Sequence, residues 1–225
     1  MATATETSTI PFEGERRIVL RGVGWKGYQS LRKLVGDQPV RLTYDRGDVE
    51  LMSPLPKHER KKSLLGQFVR ILARELRIPV MPMGSTTFSR QDMDKGLEAD
   101  DSFYLGDLER VRDPDHIDLD IDPPPDLAIE IEITRSALDR MGIYGALRVP
   151  EIWRFNGRTL RMMLRQDDGS YRQSKQSAAF PDVPLDELSR FAIREGSRDE
   201  NAVVDEFRAW VREQLLPRIQ QRGEA

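Results

Sequence analysis

Large apolar residues recur along most of the chain at one of two spacings. In residues 54–78, PLPKHERKKSLLGQFVRILARELRI, the residues Leu64, Leu65, Phe68, Val69, Leu72 and Leu76 repeat every three or four positions. That spacing predicts a long helix, with Pro56 suited to its first turn. GYQSLRKLVG predicts a shorter helix stopped by Gly36, and SALDRMGIYGAL a third, with Ser136 and Asp139 at capping-box spacing. In the tail, NAVVDEFRAWVREQLLPRI places Val203, Phe207, Trp210, Val211 and Leu215 on one helical stripe, which should dock on the domain or on another subunit.

Elsewhere the period is two. VRLTYDRGDVELMS reads as a hairpin turning at Asp45, Arg46 and Gly47, and EIWRFNGRTLRMML as a second on Asn156-Gly157. Asp168-Gly169 offers a further turn. VMPMGSTTFSR and EADDSFYL suggest two strands joined by the polar QDMDKG. A loop rich in Asp and Pro follows over 107–125. The resulting order is helix, hairpin, long helix, strands, strand, helix, hairpin, helix, which is a mixed α/β or α+β pattern.

The strand after that loop, PPPDLAIEIEITRS, is unusual. Leu127, Ile129, Ile131 and Ile133 share one face, and Asp126, Glu130 and Glu132 fall on the other, with Asp126 close to the preceding turn. Glu130 and Glu132 would stand about 7 Å apart. Two charges at that separation repel by about 2.4 kcal/mol at an effective dielectric near 20. A cation, a nearby arginine, protonation or plain solvent would each relieve this. Periodicity alone favours the plainest answer, an antiparallel strand with one wet face. Arg135, Arg140 and Arg148 are near enough in sequence to pair with the acids.

Composition narrows the chemistry. The chain has 225 residues, 38% hydrophobic and 32% charged, with a net charge of −3. It is long enough for a real core and carries no global basic field toward nucleic acid. Cysteine is absent and there are two histidines, His58 and His116, which excludes disulfides, thiolate chemistry and a multi-histidine zinc site within one chain. No apolar segment is long enough to span a bilayer. Residues 1–15 read as a flexible lead without signal-peptide character, ahead of a single domain over 16–225. A bacterial, cytoplasmic protein is expected.

Carboxylates dominate the candidate chemistry. In GLEADDSFYLGD, Asp100 shares a strand face with Ser102 and Tyr104, and Glu98 joins it if the strand starts early. If that strand neighbours the one carrying Glu130, the two acids converge. One or two carboxylates with retained waters suit Mg²⁺. Glu50, beside Asp48 on its hairpin, is a third candidate. DPDHIDLDID mimics the first half of a calcium loop, but Pro123 and Ile129 stand where that loop needs Gly and Glu, so it reads as a solvated loop. KHERKK, with Lys57, His58, Lys61 and Lys62, puts cations at a helix N-terminus against the macrodipole. A phosphate partner is plausible there, although a charge run alone is more often a solvated face.

Taken together, VELMSPLPKHE, GSTTFSRQD, GLEADDSFY, PPPDLAIEIEIT and IYGALRVPEIWRFNG resemble, in order and spacing, the restriction-endonuclease family called Uma-two, a branch of the PD-(D/E)XK nuclease superfamily. The resemblance runs from about Tyr28 to the C-terminal helix. It implies a restriction-endonuclease-like core, a mixed central sheet flanked by helices. It further implies Mg²⁺- or Mn²⁺-dependent hydrolysis of DNA phosphodiesters. By the same resemblance Asp100 and Glu130 fill the signature acids and bind metal, Glu50 matches an upstream acid, and His58 the histidine of the first long helix. Lys57, Lys61 and Lys62 would contact the DNA backbone. Two positions depart from the pattern. Ala99 replaces Pro, and Glu132 replaces the signature Lys, a role that Arg140 on the next helix could cover only in part, since arginine stays protonated and cannot act as a base. A catalytically impaired relative that binds DNA or a protein is the alternative. A homo-oligomer, such as a dimer built by the C-terminal stripe, is compatible with either.

Overall fold

The computed structural model describes residues 15–194 and 199–223. Residues 1–14 of the expected lead lie outside the described residues. Glu15, assigned to that lead, is buried and hydrogen-bonded and so belongs to the fold.

In chain order the elements are β1 (Arg16–Leu20), α1 (Gly24–Val35), β2 (Arg41–Asp45), β3 (Asp48–Ser53), α2 (Pro56–Glu75), β4 (Val80–Pro82), β5 (Thr87–Arg90), β6 (Lys95–Glu98), β7 (Asp101–Leu105), β8 (Leu127–Ile131), α3 (Arg140–Ala146), β9 (Glu151–Phe155), β10 (Leu160–Arg165), β11 (Tyr171–Ser174), α4 (Leu185–Ala192) and α5 (Glu200–Trp210). A π-helical stretch, Val211–Leu215, then leads into α6 (Leu216–Gly223). No helix among the described residues is long and apolar enough to cross a membrane.

The strands form two sheets, where a single central one was expected. The first runs β1-β3-β2-β6-β5 and is antiparallel throughout. The second runs β11-β10-β9-β8-β7-β4 and is mixed, with β8 and β9 its parallel pair. This is an α+β arrangement of the restriction-endonuclease-like kind. The hairpin between β2 and β3 turns on Arg46 and Gly47, with φ of 46° and 94°, the two left-handed positions of a type I′ turn.

The segment 98–105, expected as one strand, is broken after Glu98. β6 ends in the first sheet and β7 begins in the second. Asp100 stands at this crossing. Its amide donates to the Ile129 carbonyl at 3.2 Å, and its carboxylate Oδ2 accepts from the Ile131 amide at 2.6 Å. The crossing thus locks Asp100 to the backbone on either side of Glu130.

β8 has no wet face. Leu127, Ile129 and Ile131 pack into the main core with Leu65, Phe68, Val69 and Leu72 of α2. The opposite face is covered too: Ala128 packs with Ile143, Tyr144 and Leu147 of the α3 region and with Phe88 and Leu97 of the first sheet. Every residue of β8 is buried, Glu130 included. Asp126 precedes the strand, as expected, and accepts from the Leu105 amide at 2.7 Å.

The C-terminal stripe docks on its own chain. Phe207 stacks on Phe68 with ring centroids 4.2 Å apart, and Val203, Trp210, Val211 and Leu215 join the same core. The surface offered for an oligomer is therefore used internally, and an oligomer loses the argument that motivated it. Full burial of side chains of this size stabilises by roughly 1.5–3 kcal/mol each, so this stripe holds the tail firmly.

Candidate active site

Asp100 and Glu130 line one cavity of about 570 Å³, together with Glu132, Arg17, Arg135, Arg140 and Arg154. Its walls are the crossing between the sheets, the end of β8 and the segment leading into α3. Ser136 does not cap that helix. Asp139 does, accepting from the Gly142 amide at 3.0 Å, while Ser136 Oγ donates to Glu50 at 2.9 Å.

Glu130 is held by two side chains of α3. Arg140 grips it with both ends of its fork, Nε to Oε2 at 2.9 Å and Nη2 to Oε1 at 2.5 Å, and the Tyr144 hydroxyl also donates to Oε1. Arg140 and Tyr144 are four residues apart, one turn on the same helix face. Arg140 reaches further, to Thr43 Oγ1 on β2 and to the Glu98 carbonyl at 2.8 Å. One partly buried guanidinium thereby ties both sheets to α3. Burial pushes the Glu130 carboxyl up, Arg140 pulls against it, and nearby Asp100 adds to the rise. Burial likewise pushes the Tyr144 hydroxyl well up, with Glu130 adding to it.

His58 is buried between two acids. Nδ1 lies 2.5 Å from Glu15 Oε1 and Nε2 lies 3.0 Å from Asp100 Oδ1. The second contact is an ion-pair distance without hydrogen-bond alignment, so Asp100 Oδ1 is buried with no hydrogen-bond partner. Charge attraction needs no such alignment. Burial pushes the His58 imidazole down, but Asp100 and Glu15 outweigh this and raise it to about 9. Burial pushes Asp100 up, and His58 and Arg140 more than reverse it, so its carboxyl sits below the ordinary range. Asp100 and Glu130 are therefore displaced in opposite directions.

Glu15 continues the chain of charges. Burial raises it, yet His58, Thr134 and Arg17 bring it down to about 2. Arg17 bridges Glu15 at 2.7 Å and Glu50 at 2.6 Å, and donates to the Thr134 carbonyl at 3.1 Å. Glu50 also accepts from the Ala137 amide at 2.6 Å. Both Glu50 oxygens are thus engaged by protein donors. Glu132 pairs with Arg154 at 2.6 Å. The basic start of α2 lies elsewhere. Lys57 and Lys61 border a separate cavity of about 150 Å³ with Arg60 and Arg194, and Lys62 pairs with Glu59. Of that run, His58 alone reaches the acids.

The family model for Uma2, a putative restriction endonuclease, matches residues 25–193. The chain belongs to this family. No curated protein matches it. Membership in Uma2 supports a nuclease, of a class that typically uses divalent metals. The match begins after Glu15 and Arg17, so two residues that brace the acids lie outside it.

The acids fit a divalent ion unevenly. Among the described residues, no three of His, Asp and Glu are grouped to hold one. Asp100 fits, because its buried Oδ1 lacks a hydrogen-bond partner. Glu130 fits once Arg140 yields an oxygen. Glu50 does not, since Arg17, Ser136 and Ala137 use its carboxylate.

Sequence reasoning missed Glu15, Arg17, Thr43, Tyr144 and Arg154. Tyr144 was the findable one, at helical spacing from Arg140. Arg154 needed the parallel register that places it beside Glu130. Glu15, Arg17 and Thr43 needed the packing of the first sheet on β8, which no local pattern announces.

Proposed function

We propose that this protein hydrolyses phosphodiester bonds in DNA, at the cavity where Asp100 and Glu130 converge. One observation carries the reading: two buried carboxylates, one at the crossing between the sheets and one on β8, face a single cavity lined with guanidinium groups. A buried carboxylate pair lining a cavity, with the two carboxyls displaced in opposite directions, is a candidate catalytic centre.

A divalent ion, Mg²⁺ or Mn²⁺, would be held by Asp100 and Glu130. Bound there, it would supply an activated water and polarise the phosphoryl group. The chain's own residues prepare the place. His58, closed off from solvent, acts through Asp100 by keeping that carboxylate ionised. Arg140 opposes the upward push of burial on Glu130 without reversing it, and fixes the α3 segment against both sheets. Lys57, Lys61 and Lys62 would meet the DNA backbone away from the acids, as position-setting contacts.

Purified protein should relax or linearise supercoiled plasmid with Mg²⁺ or Mn²⁺, and Asp100→Ala and Glu130→Ala should each abolish this. If both variants cut like the wild type, the site is wrong. The second reading, a nuclease-like binding module, is favoured by the bidentate hold of Arg140 on Glu130 and by Glu132 in the signature Lys position. It predicts salt-sensitive DNA binding without cleavage, unchanged by Glu130→Ala and weakened by loss of Lys57, Lys61 and Lys62.

A further inference from the structure

The cavity holds several arginines, and they differ in what they have left to give. A guanidinium has five N–H donors. Arg140 makes four hydrogen bonds within the protein, to Glu130 twice, Thr43 and the Glu98 carbonyl. Arg17 is committed to Glu15, Glu50 and Thr134. Arg154 makes one, from Nη2 to Glu132 Oε2. Arg135 is exposed at the same wall and pairs with no acid among the described residues.

Register explains why Arg154 is there. β8 and β9 run parallel with Glu130 beside Arg154, so the arginine stands next to the acid at the cavity wall. Glu132 then holds it at 2.6 Å, with the two side chains 25% and 31% exposed, open enough for solvent or a ligand to reach. Glu132 thus draws a cation from the neighbouring strand to the cavity wall.

We infer that Arg154, oriented by Glu132, and Arg135 are the phosphate-binding residues of this cavity. The inference rests on the reading of the protein as a DNA phosphodiesterase. A phosphodiester is a monoanion with two free oxygens, which the planar fork of arginine matches in bidentate fashion. Arg135 brings a charge with no acid paired to it among the described residues, and Arg154 brings unused donors at a fixed angle. Glu132 is a positioning residue: it acts through Arg154 and touches no substrate.

The test is binding of a short fluorescent DNA duplex to the full-length chain in EDTA over a salt series, followed by cleavage kinetics with Mn²⁺. Arg154→Ala and Arg135→Ala should each weaken binding by about tenfold. Each should also lower the slope of log K against log salt by about one. Arg154→Lys keeps the charge and should restore the slope while recovering only part of the affinity. Glu132→Gln should leave the slope intact and raise KM with little change in kcat, a split that mere loss of folded enzyme, which lowers apparent kcat at constant KM, does not produce. If the wild type binds and cuts DNA while the arginine variants keep its affinity and slope, this inference alone is overturned. If the wild type neither binds nor cuts DNA, the functional reading falls and takes the inference with it.

Discussion

The two faces of β8 are equally hidden and unequally stable. Leu127, Ile129 and Ile131 lie under α2, and Ala128 and Glu130 lie under α3 and the first sheet. On the apolar face, burial itself is the stabilising term, and it degrades gracefully when a methyl group is removed. On the acid face burial is the cost. Removing a carboxylate from water is unfavourable by several kcal/mol, and only Arg140 and Tyr144 offset it. The fold gains one face by adding atoms and keeps the other by matching charges. Glu130 is therefore held by its partners, where Ile129 and Ile131 are held by their surroundings.

The comparison breaks hardest at Arg140. Arg140→Ala leaves Glu130 buried without its counter-ion, and should cost about 3–5 kcal/mol of stability. Replacing both partners, as in Glu130→Gln with Arg140→Met, should recover most of that loss, because no unpaired charge remains. The double variant should nevertheless cut no DNA. Urea unfolding of the single and double variants measures this directly. A loss below about 1 kcal/mol for Arg140→Ala would mean that water reaches Glu130 and that the two faces are not so different.

A smaller effect separates the faces by pH. The Leu and Ile face of β8 has the buried Asp101 beside it, opposite Ile129, whereas the acid face is backed by the paired charges of His58 and Glu15. His58 is raised from 6.5 to about 9, so its contribution is complete below pH 6.5 and disappears as pH climbs toward 9. Glu15 is lowered from 4.5 to about 2, so its contribution is complete above pH 4.5 and disappears as pH falls toward 2. The mutual attraction of the pair is fully present between those limits. From pH 6.5 to 9 the wild type should lose on the order of 3 kcal/mol. His58→Gln should be less stable at pH 6 and nearly flat over the same range. A wild-type profile without that alkaline decline would place His58 outside the charged network.

How much of this was legible depends on the distance over which a signal acts. The long helix α2, the Arg46-Gly47 turn and the tail stripe are written in local spacing, and the structure carries all three. Glu130 and Asp100 were visible as acids on strands. What the sequence could not display was the crossing at Ala99 and Asp100, because a change of sheet leaves the alternation of side chains almost undisturbed. The wet face was misread for a related reason. A period of two says which residues share a face and nothing about what covers it, and the cover here is α3 and a second sheet. β1 and α4 escaped notice because RRIVL is a short edge strand with Ile18 exposed, and LDELSRFA is a helix of eight residues. Glu15 and Arg17 matter only through contacts more than thirty residues away, apart from their own pair.

The gentlest probe is also the control for the others. Ile129 is fully buried on the apolar face and flanks Glu130, and its carbonyl accepts the Asp100 amide. Ile129→Val removes one methylene and leaves that backbone bond intact. It should cost about 0.5–1.5 kcal/mol, with no dependence on pH between 5 and 9 and no change in DNA cleavage. The two faces share a backbone, so a mere loss of rigidity in β8 would appear in both. If Ile129→Val reduced cleavage as strongly as Arg140→Ala, the acids would be sensing the stiffness of the strand rather than their own charge partners. A purely apolar cost would instead assign the chemistry to the face that carries Glu130, with Ile129 contributing only to the core beneath it.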